Sequence, residues 1–371
     1  MSKKILSVFG TRPEAIKMAP LVKELSKSKQ FKTKICVTAQ HREMLDQVLD
    51  FFEIEPDFDM DLMKENQTLN GLWADILVNI KYILDDFKPD WVLVHGDTAT
   101  STAVALASYF SECKVGHVEA GLRTWDKWAP YPEEMNRQIT GRIADLHFAP
   151  TKDAKSNLKR EGVDSDNIVV TGNTVIDALM YSIEKINRGY SNEKIKEIER
   201  GIDFSKNIIL VTGHRRENFG QGFINICNAL TEIAQANNEN EIVYPVHLNP
   251  NVQEPVNRLL QGIPNIHLVD PLAYPSFVWL MNKSKIIITD SGGIQEEAPS
   301  LGKPVLVMRE TTERPEALKA GTVKLVGTSK EKIVDETLKL LNDDKKYEEM
   351  SVSNNPFGDG SASSKIVTAL N

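Results

Sequence analysis

Strand and helix patterns alternate along almost the whole of this 371-residue chain. Short β-branched runs such as Ile208–Val211 and Ile286–Thr289 are typical of strands that are buried on both faces, and longer amphipathic stretches separate them. Such alternation predicts parallel βαβ units. In sheets of this kind ligands bind beyond the carboxyl ends of the strands. We therefore predict an α/β fold and search for function in the segments that follow each strand.

The alternation is interrupted at residues 188–206, a charge-rich stretch with few apolar residues that suits a surface helix or a linker, and then restarts. The chain length also suits two domains. We predict a doubly wound domain at 1–187, a linker at 188–206, a second doubly wound domain at 207–352, and a tail with a short helix at 353–371. Two such domains are expected to face each other across a cleft.

Charge and cysteine content exclude several functional classes. The chain has 44 Lys and Arg against 52 Asp and Glu, a net charge of -8, which argues against nucleic acid or an anionic membrane as the main partner. No uncharged apolar stretch reaches membrane-spanning length, and the first ten residues are typical of a strand rather than a signal peptide. Cys36, Cys113 and Cys227 lack metal-ligand spacing and suit free thiols in a reducing cytoplasm. We therefore expect a cytoplasmic protein.

One strand-to-helix corner has the features of a phosphate site. Ser291, Gly292 and Gly293 follow a buried strand, so that Ser291 can act as N-cap while the glycines expose unpaired amides at a helix N-terminus. About one turn later, Glu296 and Glu297 place a carboxylate where ribose hydroxyls could donate to it. The alternative is an ordinary turn followed by a solvated pair of glutamates.

Acidic residues follow two neighbouring strands of the first half. Asp97 and Glu119 come after predicted strands, and Glu133 lies at a Pro-led helix start. Clustered carboxylates raise one another's pKa, so one can hold a proton while another stays ionised, which supports acid/base chemistry. Metal binding is the alternative. The acidic segment at 57–61 falls between predicted elements, and we expect a solvated loop there.

Basic side chains also follow strands, where they can meet a phosphate. They are Arg12, Lys17, His214, Arg215, Arg309 and Arg314. Lys17 lies about one helical turn beyond Arg12, so both can act on one anion. Solvated basic residues are the common alternative.

Several motifs together resemble the non-hydrolysing UDP-N-acetylglucosamine 2-epimerases. The matching segments are residues 9–20, 39–42, 95–98, 117–124, 132–137, 213–218 and 289–299. The resemblance implies a GT-B architecture, in which a Rossmann-like first domain carries acid/base carboxylates and a second binds UDP. It also implies that the C-terminal helix returns to the first domain, that the protein is a homodimer, and that no cofactor or metal ion is needed.

The resemblance further implies the reaction and the residues that perform it. The family converts UDP-N-acetylglucosamine reversibly to UDP-N-acetylmannosamine for cell-surface polysaccharide synthesis. UDP leaves C1 while a base removes the C2 proton, and UDP adds back to 2-acetamidoglucal after protonation on the opposite face. The matching acid/base positions are Asp97, Glu119, Glu133 and His214. The matching substrate contacts are Arg12, Lys17, Ser291, Gly292, Gly293, Glu297 and Arg314, with Phe277 near the uracil.

Family members are often activated by their own substrate at a second site. The positions that keep the expected residue type are Gln40, Glu133, Arg215 and His247. Two positions depart, with Glu43 where Gln is usual and Asn66 where Arg is usual. An added negative charge and a lost cation weaken binding of an anionic effector, so we expect weak or absent activation.

Two other functions fit the same fold. A retaining GT-B glycosyltransferase would use the same nucleotide corner but would have no need of several carboxylates for proton exchange. A non-catalytic UDP-sugar-binding protein would keep the binding residues alone, yet every matched acid/base position is retained here. A nicotinamide dehydrogenase fits less well, because no first βα turn contains Gly-x-Gly-x-x-Gly.

Overall fold

The computed structural model describes residues 2–39, 42–64, 67–352 and 354–371. The chain divides into two compact units: unit 1 is formed by Met1–Met180 with Phe357–Asn371, and unit 2 by Tyr181–Pro356. Each unit has its own sheet and is described by itself below. Within the described ranges, no helix combines the length and the apolar character needed to cross a membrane.

Unit 1 is built on a parallel sheet. Its strands are β1 (Lys3–Phe9), β2 (Phe31–Val37), β3 (Phe58–Asp59), β4 (Trp91–His95), β5 (Lys114–Val118), β6 (Leu146–Ala149) and β7 (Ile168–Val170). The helices that begin within residues 1–180 are α1 (Arg12–Lys27), α2 (Arg42–Phe52), α3 (Leu69–Phe87), α4 (Ala99–Phe110), α5 (Glu133–Ile143), α6 (Lys152–Arg160) and α7 (Thr174–Asn187). In the described residues the strand order is β3-β2-β1-β4-β5-β6-β7.

Unit 2 repeats this plan. Its strands are β8 (Asn207–Thr212), β9 (Asn240–Pro245), β10 (Ile266–Val269), β11 (Ile286–Thr289), β12 (Val305–Val307) and β13 (Val323–Leu325). Its helices are α8 (Glu193–Gly201), α9 (Gln221–Ala236), α10 (Pro250–Leu260), α11 (Tyr274–Lys283), α12 (Gly292–Glu297), α13 (Pro315–Ala320), α14 (Lys330–Asn342) and α15 (Asp344–Ser351). In the described residues the strand order is β10-β9-β8-β11-β12-β13.

Both sheets are doubly wound, as predicted. Every strand pair is parallel, and each sheet reverses its strand order at one point, between β1 and β4 in unit 1 and between β8 and β11 in unit 2. Strands β4 and β11 are buried along their whole length, which explains their continuous apolar runs. Ligands of such sheets bind at these reversal points, so the segments after the four strands are the first places to look for a site.

The last helix, α16 (Ala362–Leu370), belongs to unit 1 and packs on α1. Its buried first turn donates to one carboxylate, because the amides of Ala362 and Ser363 bond the two oxygens of Asp177 at 3.2 and 2.7 Å. Lys3 Nζ donates to the carbonyl oxygen of Leu370 at 2.8 Å. Both ends of α16 are thus anchored within unit 1.

Two segments have more structure than their composition indicates. The stretch at 188–206, predicted as a surface helix or a linker, contains α8, whose Ile195 and Ile198 are buried, and Asn192 donates to Ser276 Oγ on α11 at 3.0 Å. A helix with so few apolar residues resembles a solvated linker in composition. The acidic segment at 57–61 is not a loop throughout, since Phe58–Asp59 forms β3, and Arg42 Nη1 lies 2.5 Å from Asp59 Oδ2.

Two glycines with similar backbone angles allow a matched test of close packing in unit 1. Gly121 has φ +92°, and a Cβ there would overlap the Ala154 carbonyl group and lie 3.0 Å from Leu158 Cγ. Gly162 has φ +85° with nothing within 4 Å of that position. We expect Gly162→Ala to cost about 1 kcal/mol of unfolding free energy from backbone strain. Gly121→Ala should cost about 2–4 kcal/mol, because overpacking adds to the same strain.

Urea denaturation of the two variants measures this difference directly. Equal losses for Gly121→Ala and Gly162→Ala would contradict the close approach of α6 to the loop after β5.

Candidate active site

A buried carboxylate organises the reversal point of unit 1. Glu14 accepts hydrogen bonds from the amides of Gly10 and Thr11 at 3.1 and 2.8 Å, and Thr11 Oγ1 accepts from the Glu14 amide, which completes a capping box on α1. The Thr98 hydroxyl, which caps α4, donates to the other oxygen of Glu14 at 2.7 Å. Burial raises the pKa of Glu14 although these donors oppose the shift. The segment after β1 is therefore tied to the segment after β4.

Glu119 is the centre of a polar cluster at the end of β5. Its side chain is 9% exposed, and its Oε2 lies 2.5 Å from Lys17 Nζ, 2.8 Å from Asn173 Nδ2 and 3.7 Å from His95 Nε2. Its backbone has φ +60°, an unfavourable conformation for a residue other than glycine. Lys17, predicted as a substrate contact, is thus the countercharge of a predicted acid/base residue. Sequence reasoning did not single out Asn173, which follows β7 as the other polar residues follow their strands.

Asp97 is held by the helix that begins at Glu133. Arg137 Nε donates to Asp97 Oδ2 at 2.6 Å, and Asn136 Nδ2 donates to the Asp97 carbonyl at 2.8 Å. The buried Glu134 accepts the amides of the loop that precedes α5, and Arg137 Nη1 lies 3.4 Å from it. Glu133, the first residue of α5, is half-buried beside this network. Asp97, Asn136 and Arg137 therefore form one rigid group, of which only Asp97 was predicted.

The turn that carries Asp97 is next to the Glu119 carboxylate. Gly96 has φ +65°, and the position of a Cβ there lies 3.8 Å from Glu119 Oε1. His117 Nε2 lies 2.7 Å from the Gly96 carbonyl oxygen and fixes the turn. The structure thus brings the two predicted carboxylates to neighbouring strand ends. Arg12 begins α1 at the adjacent reversal point and is half-buried.

A second buried carboxylate organises the reversal point of unit 2. Asp290, directly after β11, accepts at Oδ2 the amides of His214 and Arg215 at 2.9 and 2.8 Å and Asn218 Nδ2 at 3.3 Å. Thr212 ends β8 and Thr289 ends β11, and their hydroxyl oxygens are 2.6 Å apart. The loop after β8 is therefore fixed against the segment after β11.

His214 has charged and aromatic neighbours within unit 2. Its Nδ1 lies 3.5 Å from Asp290 Oδ1, and its ring stacks on His247 with centroids 5.5 Å apart and planes at 22°. Burial lowers the pKa of His214, Asp290 opposes that shift, and Arg215 and His247 add to it. The predicted acid/base histidine is therefore in direct contact with a predicted effector residue.

The Ser291 corner has the expected shape, but its serine acts differently. Ser291 occupies the N-cap position of α12, yet its hydroxyl makes no capping hydrogen bond. A Cβ at Gly292 would lie 3.9 Å from Arg215 Nη2 and 4.0 Å from Arg314 Nη2, so two guanidinium groups flank the start of the helix. Gly293 is exposed. The amides, the Ser291 hydroxyl and the two guanidinium groups can thus act together on an anion.

The acidic and aromatic residues of this corner are mostly engaged with neighbours. Glu296 is not solvated but buried against Arg314 Nε. Glu297 accepts the Tyr274 hydroxyl at 3.1 Å, and Phe277 lies half-buried one turn along the same helix from Tyr274. The predicted ribose acceptor is thus hydrogen-bonded to the helix that carries the predicted uracil contact.

Other predicted residues have different positions. Arg309, predicted as one of the basic side chains that can meet a phosphate, is buried, and its Nε pairs with Glu217 at 2.7 Å. Glu43 is exposed on α2. Gln40 and Asn66 lie outside the described residues. Across the ranges that the structure describes, no group of three or more His, Cys, Asp or Glu side chains could hold a metal ion.

Comparison with known proteins identifies the family. The family model described as UDP-N-acetylglucosamine 2-epimerase matches residues 23–371. This chain belongs to that family. A Salmonella typhimurium protein named UDP-N-acetylglucosamine 2-epimerase is 57% identical over 368 residues, which cover 99% of this chain and 98% of the relative. The resemblance inferred from the motifs is therefore confirmed.

Solved structures of the 2-epimerase family have the same fold. The Neisseria meningitidis UDP-GlcNAc 2-epimerase bound to UDP-GlcNAc is 51% identical, with 99% of each chain covered and a TM-score of 0.90. The Methanocaldococcus jannaschii UDP-GlcNAc 2-epimerase in complex with UDP-GlcNAc and UDP is 33% identical, with 99% of each chain covered and a TM-score of 0.79. This 2-epimerase thus shares its fold with relatives that bind a UDP-sugar.

Three buried histidines of unit 1 predict a steep loss of stability in acid. Burial lowers the pKa of His95 to about 4, of His117 to about 3 and of His147 to about 4, from an ordinary value of 6.5. At pH values between these lowered pKa values and 6.5, the unfolded chain binds protons that the folded chain does not. The free energy of unfolding should therefore fall as the pH falls from about 6.5 to about 4, with a slope approaching about 1.4 kcal/mol per pH unit for each histidine.

Denaturant unfolding followed by tryptophan fluorescence measures this slope, and a Trp279→Phe background leaves only the tryptophans of unit 1. His147→Asn should remove about a third of the histidine contribution. A free energy of unfolding that stays constant between pH 6.5 and 5 would contradict the assignment of these histidines as neutral in the folded state.

Proposed function

We propose that this 2-epimerase interconverts UDP-N-acetylglucosamine and UDP-N-acetylmannosamine by eliminating UDP and adding it back. The observation that carries the proposal is the Glu119 cluster, in which a carboxylate is fixed by Lys17 and Asn173 beside the turn that bears Asp97. Such rigidly held carboxylates at strand ends suit proton transfer at a sugar carbon. The relatives solved with UDP-GlcNAc support the choice of substrate.

The reaction needs a base, an acid and a site for the leaving group. In the elimination, a carboxylate accepts the proton from C2, the C2–H electron pair forms the C1=C2 double bond, and the C1–O pair leaves on the β-phosphate of UDP. The products are UDP and 2-acetamidoglucal. Protonation of C2 on the opposite face and return of UDP to C1 give the epimer. We assign the proton transfers at C2 to Asp97, Glu119 and Glu133, and the exchange of a proton with the departing UDP to His214.

The groups that stabilise the departing diphosphate are assigned to the Ser291 corner. Arg215 and Arg314 flank Gly292, and the amides of the first turn of α12 have no acceptor within that helix. His214 supplies a further donor when it is protonated. Arg12, at the start of α1 in unit 1, is assigned as a further substrate contact because it matches one in the family motif. Glu297 and Phe277 are assigned to the ribose and the uracil, consistent with their connection through Tyr274.

Four further features belong to the same proposal. The enzyme acts in the cytoplasm as a homodimer, and its product supplies cell-surface polysaccharide synthesis. It works without a cofactor or a metal ion. The carboxylates near Lys17 and Arg137 have cationic partners, so the chain itself supplies the countercharges for the chemistry.

Turnover in heavy water tests the proposal. The purified protein is incubated with UDP-N-acetylglucosamine in D₂O without an acceptor, and proton NMR follows the anomeric region. We expect deuterium at C2 of both epimers as they approach equilibrium, because the proton removed from C2 exchanges with solvent. No exchange at C2 here, together with sugar transfer in a parallel incubation that contains an acceptor, would instead identify a glycosyltransferase. Binding without exchange or transfer would identify a UDP-sugar-binding protein.

A matched pair of variants tests the role of Glu119. Glu119→Gln keeps the size and polarity of the side chain but removes the carboxylate that accepts a proton, and should lower the turnover number at least about 100-fold. Glu55→Gln makes the same chemical change at an exposed position of unit 1 and should leave turnover unchanged. Similar turnover numbers for the two variants would refute a proton-transfer role for Glu119.

Substrate activation is the remaining kinetic property. Because Glu43 and Asn66 replace the usual Gln and Arg, we expect a hyperbolic rate curve with UDP-N-acetylmannosamine alone, with no effect of traces of UDP-N-acetylglucosamine. The double variant Glu43→Gln/Asn66→Arg should bind the anionic effector more tightly and show activation. A clearly sigmoidal curve for the unaltered protein that such traces convert to full rate would contradict this expectation.

A further inference from the structure

One carboxylate oxygen of Asp290, Oδ1, takes no part in the hydrogen bonds that fix the loop after β8. The side chain is fully buried at the reversal point of unit 2. Its Oδ2 receives the His214 and Arg215 amides and the Asn218 side chain. Within the described residues its Oδ1 has no hydrogen-bond partner, and it lies 3.5 Å from His214 Nδ1. One oxygen is thus fixed by the backbone while the other faces the imidazole.

We propose that Asp290 is a positioning residue that holds the proton of His214 on Nδ1 and leaves Nε2 to take and return a proton. This inference rests on the function proposed above, in which His214 acts on the departing UDP. The 3.5 Å separation exceeds the upper limit of about 3.2 Å for a good hydrogen bond, so the ring needs to move by only a few tenths of an ångström. When His214 is protonated, Asp290 balances its charge and Nε2–H can donate to an anion.

The other groups around His214 favour the neutral ring. Arg215 and the stacked His247 both lower the pKa of His214, as burial does, and Asp290 alone among its charged neighbours in the described residues raises it. Removing the negative charge of Asp290 would therefore leave a ring that is difficult to protonate. Asp290 thus determines both the tautomer of the imidazole and its ability to accept a second proton.

A purely structural role is the competing explanation, and Asp290→Asn separates the two. The His214 and Arg215 amides still need an acceptor, so the carbonyl oxygen of the new amide must take the position of Oδ2. Its NH₂ group then takes the position of Oδ1, next to His214 Nδ1. Because an NH₂ group only donates, Nδ1 must become an acceptor and the proton must move to Nε2. The backbone contacts are kept while the tautomer is inverted.

Nitrogen-15 NMR of the full-length, histidine-labelled protein reads the tautomer directly. The chain has 7 histidines, and the His214 signals are assigned by their loss in His214→Gln. We expect the Nδ1–H tautomer in the unaltered protein. In Asp290→Asn we expect the Nε2–H tautomer, a lower titration midpoint, and a turnover number reduced at least about 100-fold with a smaller change in KM.

Asn218→Ser is the matched control, because it removes a donor from Oδ2 without altering the contact of Oδ1 with His214. It should keep the Nδ1–H tautomer. An Nε2–H tautomer in the unaltered protein would overturn the proposal, even if Asp290→Asn failed to fold. So would an Nδ1–H tautomer retained in folded Asp290→Asn. Absence of C2 exchange in the unaltered enzyme would contradict the proposed reaction but not the tautomer assignment.

Discussion

Two buried carboxylates hold the functional segments of this protein in place. Glu14 joins the amides after β1 to the Thr98 hydroxyl after β4, and Asp290 joins the segment after β11 to the amides after β8. A buried carboxylate is costly unless hydrogen bonds compensate it, so each of these side chains requires its surrounding donors to stay in position. Both lie where the strand order reverses, which is where doubly wound sheets bind ligands. The rigidity of both candidate sites follows from this arrangement.

The two units use charge in different ways. In unit 1 the predicted carboxylates have cationic partners, Lys17 for Glu119 and Arg137 for Asp97, so that an anionic substrate would not meet bare negative charge. In unit 2, Arg215 and Arg314 flank the first helical turn after the Ser291 corner. Buried Glu296 orients the guanidinium of Arg314 through its Nε. Proton transfer and anion stabilisation are thus assigned to separate clusters, each built on its own sheet.

The strands and the polar residues that follow them could be predicted from local sequence, because buried parallel strands produce continuous apolar runs and the polar residues stand directly after these runs. The partners of those residues could not. Lys17 contacts Glu119, which is 102 positions away, and His214 faces Asp290, and no local pattern encodes either pair. Lys17 follows Arg12 on one helix, which predicts a contact with an anion but gives no sign of the Glu119 carboxylate beside it. The composition of residues 188–206 suits both a surface helix and a linker, and it does not show that the two isoleucines of α8 are buried, because charged residues surround them.

Two histidines show why position after a strand does not determine chemistry. His95 ends β4 beside Gly96, and His214 follows Gly213 after β8, so their sequence contexts are alike. Burial lowers the pKa of His95 to about 4, and its Nε2 makes no hydrogen bond in the described residues, with Glu119 3.7 Å away. His214 is half-buried, and Oδ1 of the Asp290 carboxylate faces its Nδ1. His95 therefore stays neutral beside the carboxylate cluster, whereas His214 has a partner that can stabilise its charged form.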